Sequence, residues 1–242
     1  MVWVALGLSF SAQAANVTVA VASNFSVPMQ RIAEQFERDT GFKPVLAFAS
    51  TGRLYAQIKN GAPFDILLAA DDRTPMRLIE EGDAIEGSRF TYAIGRLVLW
   101  SRDANLVDAQ GEVLRTASFT RIAIADPRLA PYGAAAVEVM TRMGVWETLQ
   151  RRTVFGENIA QAHQFAASQN AQLGFVAKAQ VFANGRLTAG SAWVVPQELH
   201  TPIRQDAVLL RRAANNPAAR ALMEYLQSDK ALEIIRSFGY DH

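Results

Sequence analysis

Apolar runs and helix-like periodicity alternate along the first third of the chain. The run Val17–Ala22 predicts a buried strand, and four apolar residues after it are spaced i, i+3, i+4 and i+7, which is one face of a helix. Those four residues are Met29, Ile32, Ala33 and Phe36. Pro28 suits the first turn of this helix, and Gly41 suits its carboxyl end. A strand followed by an amphipathic helix is therefore the first predicted unit.

The same unit repeats twice before residue 85. Pro44–Phe48 predicts a second strand, and Gly52–Lys59 predicts the helix that follows it. Asp65–Ala70 predicts a third strand, and the next helix begins at Thr74-Pro75 and ends at Gly82. Strands that alternate with helices in this order form a parallel sheet with helices on its faces.

A second series of strand and helix patterns begins near residue 97. Its predicted strands are Leu97–Trp100, Arg121–Ala125, Gly174–Ala177, Ala192–Val195 and Ala207–Leu210. Its predicted helices are one with Ala136, Val139, Met140 and Met143 on one face, then Asn158–Ser168, Pro217–Ser228 and Lys230–Phe238. We therefore predict an α/β fold of two lobes, each a mixed, mostly parallel sheet flanked by helices. A single doubly wound domain is the alternative.

The two series follow each other without a linker or a low-complexity segment, so crossing strands must join the lobes. We expect crossovers near Tyr92–Leu99 and near Pro202–Val208. Residues 15–95 and 203–242 then form lobe 1, and residues 96–202 form lobe 2.

The first 14 residues have the pattern of an export signal. Val2–Phe10 is a short apolar stretch, and Ala12-Gln13-Ala14 has the small-x-small form of a cleavage site. The stretch is too short to span a bilayer as a helix. It contains no charged residue, so the basic part of an ordinary signal is missing and we expect the true start to lie upstream.

Composition narrows the class of protein. The 242-residue chain has 24 basic and 23 acidic residues, a formal net charge of +1 and no cysteine. Because the charge is balanced, the composition does not indicate the basic surface that binds nucleic acid or an anionic membrane. A chain without cysteine has no disulfide, no thiol chemistry and no acylated cysteine as a lipid anchor. We expect a soluble, unanchored, monomeric periplasmic protein.

Neutral hydrogen-bonding side chains stand where predicted strands give way to helices. Two such junctions contain Ser23-Asn24 and Ser50-Thr51, and a third contains Pro131-Tyr132-Gly133. Ile159 begins a further helix, where its backbone N–H is a potential donor. Helix N-termini carry unpaired N–H groups and a positive dipole end, and in open α/β sheets ligands bind where these ends converge. The junctions predict a small-oxyanion site made of neutral donors. Ordinary N-capping is the alternative role, and Ser50 suits a cap as readily as a ligand contact.

Residues that could support catalysis are few. Asp65, Asp71 and Asp72 flank a predicted buried strand and could act as paired carboxylates or metal ligands, although capping and backbone bonds are commoner roles. His163 lies within a helical pattern and outside any HExxH or HxH motif. We expect no enzymatic activity. A phosphate-ester hydrolase using Asp65, Asp71 or His163 is the alternative from another class.

Several motifs resemble those of periplasmic molybdate-binding proteins. They occur in that family's order and spacing between about Asn16 and Tyr240. The motifs are Val19–Phe25, Phe48–Gly52, Ala56–Pro63, Ala125–Pro127, Ala130–Gly133 and Leu173–Ala177. The resemblance implies a two-lobed type II solute-binding fold that delivers molybdate, and usually tungstate, to the permease of an ABC importer.

The resemblance also implies which residues contact the oxyanion. Tyr132 matches a binding tyrosine of some members, whereas members without it carry one at the position of Ala177. Molybdenum is bound as its oxyanion, so neither a cofactor nor a bare metal cation is expected. The implied contacts are Ser23, Asn24, Thr51, Tyr132 and Ile159, the last through its main chain.

The chemistry of molybdate agrees with such a site. Molybdate is a fully deprotonated tetrahedral dianion at neutral pH and needs only donors, whereas phosphate keeps a proton and requires an acceptor. A directional cage of neutral donors also selects by size, which favours molybdate and tungstate over the smaller sulfate. A binder of sulfate or of another tetrahedral oxyanion is the alternative within the same class.

Overall fold

The computed structural model describes residues 16–241. The predicted export signal at residues 1–14 lies outside the described residues. The strands are β1 (Asn16–Ala22), β2 (Lys43–Ala49), β3 (Ile66–Leu68), β4 (Phe90–Gly95), β5 (Leu97–Ser101), β6 (Ile122–Ala125), β7 (Thr153–Gly156), β8 (Leu173–Ala177), β9 (Phe182–Ala183), β10 (Arg186–Leu187), β11 (Ser191–Val194) and β12 (Ile203–Leu209).

The helices alternate with these strands through most of the chain. They are α1 (Ser26–Thr40), α2 (Thr51–Lys59), α3 (Arg73–Glu80), α4 (Val113–Thr116), α5 (Pro131–Arg142), α6 (Trp146–Leu149), α7 (Ile159–Ala167), α8 (Lys178–Val181), α9 (Pro217–Tyr225) and α10 (Asp229–Ser237). Within residues 16–241, no helix has the length and apolar character needed to cross a bilayer.

Two five-stranded sheets organise the fold. The first sheet has the order β2-β1-β3-β12-β4, and the second has the order β11-β5-β8-β6-β7. In the first sheet β12 runs antiparallel to both of its neighbours, and in the second β5 does so. The other four strands of each sheet share one direction. The prediction of mixed, mostly parallel sheets flanked by helices is confirmed.

The chain changes sheets twice. It passes from β4 to β5 at Arg96, within the segment Tyr92–Leu99, and it returns between β11 and β12. The two crossing segments lie side by side, because Ile203 at the start of β12 pairs with Gly95 at the end of β4.

The last strand of the first sheet begins earlier than the sequence predicts. β12 starts at Ile203 rather than at Ala207. Arg204, Gln205 and Asp206 break the apolar pattern on which the prediction rested, yet the Gln205 and Asp206 side chains are fully buried. A register shift between these two residues marks a β-bulge in the pairing with β4.

The predicted apolar face of α1 packs into the core of the first sheet. Met29, Ile32 and Phe36 are fully buried there against β1 and β3. Complete burial of such a side chain contributes about 1.5–3 kcal/mol. The helix ends at Gly41, whose φ of +76° is accessible to glycine without strain. This packing fixes the amino-terminal end of α1 at the carboxyl end of β1.

Candidate functional site

Four strand-to-helix junctions converge on one cavity. Ser23 and Asn24 lie in a 3₁₀ turn between β1 and α1, and Thr51 is the first residue of α2. Tyr132 is the second residue of α5, and Ile159 is the first residue of α7. The first two junctions follow strands of the first sheet and the last two follow strands of the second. All five residues predicted from the sequence therefore line the same space.

The cavity has the size of a small ion. The space open to a water-sized sphere is about 10 Å³, far below the 300–1,000 Å³ of sites for drug-sized molecules. None of the residues that line it carries a formal charge. They are Ala22, Ser23, Asn24, Ser50, Thr51, Ala70, Ala130, Pro131, Tyr132 and Ile159.

The polar residues at the first three junctions do not cap their helices. No side chain accepts a capping hydrogen bond at the start of α1, α2 or α5. A side-chain cap does occur at the fourth junction, where Asn158 accepts the Gln161 N–H at the start of α7, and others occur away from the cavity at Asn216 and Ser228. Ordinary capping therefore does not account for the hydroxyl groups at the cavity. The first N–H groups of a helix have no partner within it, and some of them are bonded elsewhere, as Gly52 N–H is to the Leu129 carbonyl.

The Thr51 hydroxyl is arranged to donate. Its Oγ1 accepts the Ala70 backbone N–H at 3.0 Å. An oxygen that already accepts from the protein keeps its own hydrogen for another acceptor. Since Thr51 is buried and lines the cavity, a bound anion is the acceptor that this geometry fits.

The Tyr132 hydroxyl is arranged in the same way. Its oxygen accepts from Gln205 Nε2 at 3.2 Å. The Gln205 amide is held in that orientation because its Oε1 accepts from Asn24 Nδ2 at 2.7 Å and from the Tyr92 hydroxyl at 3.1 Å. Burial raises the pKa of the Tyr132 phenol well above its ordinary value, so the phenol stays protonated at neutral pH. Tyr132 therefore keeps a hydroxyl hydrogen that it can donate to a ligand.

The Asn24 side chain serves the protein. Besides its bond to Gln205, Asn24 Nδ2 lies 3.2 Å from the Tyr240 hydroxyl, which itself donates to the Asn24 carbonyl at 2.8 Å. The side-chain N–H groups are engaged in this network. The main-chain N–H of Asn24, near the start of the 3₁₀ turn, is the donor left for a ligand.

Two contacts beside the cavity join α2 to residues that follow strands of the second sheet. The Gly52 backbone N–H donates to the Leu129 carbonyl at 2.9 Å. Arg53 Nη1 and Glu157 Oε2 form an ion pair at 2.8 Å, and both side chains are more than half exposed. These contacts join elements of the two sheets next to the cavity.

Sequence reasoning missed the residues behind the cavity wall. Gln205, Tyr92 and Tyr240 are buried and hold the groups that line the cavity. Gln205 is the only one of these for which the sequence carries a signal, namely two adjacent polar residues inside a buried strand.

The candidate catalytic residues have structural roles instead. Asp65 Oδ2 accepts the Thr18 backbone N–H at 2.8 Å, and Asp71 Oδ1 accepts that of Thr74, in the first turn of α3, at 2.7 Å. The His163 ring packs against Trp100 with ring centroids 5.2 Å apart. Across residues 16–241, no three or more His, Cys, Asp or Glu side chains are grouped to hold a metal ion.

Fold and cavity together define a solute-binding class, and comparisons with known proteins agree. Residues 17–241 match the family model of bacterial extracellular solute-binding proteins, and the chain belongs to that family.

The particular relatives are molybdate-binding proteins. The chain is 55% identical over 240 residues to the molybdate-binding protein ModA of Azotobacter vinelandii, covering 98% of this chain and 95% of that protein. It is 49% identical over 235 residues to ModA of Rhodobacter capsulatus, covering 97% of this chain and 92% of that protein. A solved periplasmic molybdate-binding protein of Azotobacter vinelandii superposes with a TM-score of 0.91 at 41% identity, covering 93% of this chain and 99% of that chain. These relatives confirm the resemblance drawn from the motifs.

Proposed function

We propose that the protein captures molybdate in the periplasm and delivers it to the membrane permease of an ABC importer. The observation that carries the proposal is the buried, uncharged cavity whose hydroxyl groups on Thr51 and Tyr132 already accept from the protein. Such a site offers hydrogens and few lone pairs, which suits a fully deprotonated oxyanion. The names of the high-identity relatives support the same ligand.

The proposed contacts are five donors from both sheets. Hydroxyl groups come from Ser23, Thr51 and Tyr132, and main-chain N–H groups come from Asn24 and Ile159. A hydrogen bond to a charged group contributes about 1.5–3 kcal/mol net. Five such bonds total about 7.5–15 kcal/mol, and values near the upper end, less desolvation and closure, leave about 9–11 kcal/mol of binding free energy. That range corresponds to a Kd between sub-micromolar and roughly ten nanomolar.

The proposed mechanism is closure of two lobes on the anion. Lobe 1 comprises residues 15–95 and 203–242, and lobe 2 comprises residues 96–202. The paired crossings at Gly95 and Ile203 form the hinge, since short crossing segments absorb the dihedral changes of domain closure. Contacts across the mouth such as Gly52 to Leu129 then form only in the closed state.

We further propose a second ligand, the absence of catalysis and a monomeric state. Tungstate binds in the same cavity because it is a tetrahedral dianion of nearly the same radius. The protein performs no chemistry on its ligand, because the cavity holds donors and lacks a nucleophile with an adjacent base. It acts as a soluble, unanchored monomer. Size-exclusion chromatography with light scattering measures the oligomeric state directly.

Titration calorimetry with molybdate, tungstate, sulfate and phosphate tests the proposal. We expect sub-micromolar binding of the first two anions and at least 100-fold weaker binding of sulfate and phosphate. Sulfate bound as tightly as molybdate would refute the assignment. Thr51→Ala should weaken molybdate binding by roughly 1–3 kcal/mol while the protein remains folded. An unchanged affinity would remove Thr51 from the site.

A further inference from the structure

Ser50 has a buried hydroxyl without a protein partner. Its side chain is 3% exposed. Within residues 16–241, Ser50 Oγ and His200 Nε2 are the only buried side-chain polar atoms that lack a hydrogen bond. Native proteins pair nearly all such atoms, so an exception requires an explanation.

Capping does not explain this hydroxyl. Ser50 stands at the N-cap of α2 with φ −70° and ψ 152°, the extended conformation usual for a cap. Its side chain nevertheless makes no capping bond. By contrast, Ser228 Oγ accepts the Ala231 N–H at 3.4 Å at the start of α10.

The position of Ser50 indicates that the hydrogen-bond partner of its hydroxyl lies in the cavity. The residue lines the same cavity as Thr51, Tyr132 and Ile159. Neighbouring Thr51 uses its oxygen to accept from Ala70, so the Ser50 hydroxyl is the one at this turn with no bond to the protein.

We propose that the Ser50 hydroxyl donates directly to the bound oxyanion, as a sixth contact beyond the five proposed above. This inference rests on the proposed function and adds a second hydroxyl contact at the start of α2. The missing protein partner of Ser50 then has a physical reason, because a ligand oxygen completes its hydrogen bonding.

The variant Ser50→Ala separates a ligand contact from a structural cap. Replacing an unpaired buried hydroxyl with a methyl group is neutral or stabilising for the ligand-free protein, whereas losing a cap is destabilising. We therefore expect an unchanged or higher Tm without ligand, together with a molybdate Kd that is roughly tenfold or more weaker. The matched control is Ser228→Ala, which should lower the ligand-free Tm by about 2–4 °C and leave the Kd unchanged.

The outcomes are distinguishable by calorimetry with molybdate and by thermal unfolding of the full chain. A Kd of Ser50→Ala within twofold of the unsubstituted protein overturns the inference, whatever happens to Tm. If the unsubstituted protein itself gives no molybdate binding, the proposed function fails rather than the role of Ser50. A tenfold weaker Kd at an unchanged or higher Tm supports both.

Discussion

Gln205 should control ligand affinity although it does not line the cavity. Its fully buried amide accepts from Asn24 and Tyr92 and donates to the Tyr132 hydroxyl, so it links the first junction to the third. Gln205→Met keeps the length and most of the volume of the side chain but removes all three hydrogen bonds. The Tyr132 hydroxyl is then free to rotate away from the ligand.

These contacts determine the expected losses of stability and of molybdate affinity in Gln205→Met. Asn24 keeps its contact with Tyr240, and Tyr92 keeps its bond to the Ala69 carbonyl, so neither group is stranded in the variant. Three lost bonds at about 0.5–1.5 kcal/mol each lower the free energy of unfolding by about 2–4 kcal/mol. Losing one charge-assisted bond from Tyr132 to the anion weakens molybdate binding by roughly 10- to 150-fold.

Urea unfolding and titration calorimetry measure the two effects separately. The control is Tyr92→Phe, which removes hydrogen bonds to Gln205 and Ala69 without changing a residue that lines the cavity. We expect this control to lose stability and to keep its affinity. If Gln205→Met also keeps its affinity within twofold, Gln205 stabilises the fold only and the orientation of Tyr132 does not depend on it.

Three further predictions concern closure and pH. A Cβ at Gly52 would lie 3.2 Å from the Leu129 Cα and carbonyl oxygen. Gly52→Ala should therefore oppose closure and raise the molybdate Kd roughly fivefold or more. An unchanged Kd in calorimetry would show that this close approach does not affect binding. Glu157→Gln breaks an exposed ion pair with Arg53 worth about 0–1 kcal/mol, so the Kd should change by less than about sixfold and the difference should vanish in high salt. Because burial raises the pKa of the Tyr132 phenol, the folded protein keeps this donor, and molybdate affinity should stay constant from about pH 7 to 9. The free energy of unfolding should fall only as pH rises above the ordinary tyrosine pKa. A decline in affinity between about pH 7 and 9 would refute the donor role.

Local sequence patterns were sufficient to predict the sheets and the junctions. Helix α1 is an example, because its spaced apolar residues are buried and Gly41 ends it. The same patterns placed Ser23, Thr51 and Tyr132 at helix starts, since each follows an apolar run that is a strand. Convergence of these starts on one cavity follows from parallel strands that end at the same edge of a sheet.

The contacts behind the cavity were not predictable in this way. Gln205 meets Asn24 across 181 positions of sequence and meets Tyr132 across 73, and no local periodicity encodes such pairs. The bulge at Gln205 and Asp206 also hides the start of β12, because buried polar residues break the alternation that identifies a strand. Whether Ser50 caps its helix depends on the direction of one side chain, which the sequence does not specify.

In the proposed function, a cage of uncharged donors holds a molybdate dianion. Crystals grown with molybdate and measured at a wavelength where molybdenum scatters anomalously would locate the bound anion. We expect one strong anomalous peak in the cavity, with anion oxygens about 2.6–3.2 Å from Thr51 Oγ1 and the Tyr132 hydroxyl. A peak outside the cavity, or an anion held by Arg or Lys side chains, would contradict it.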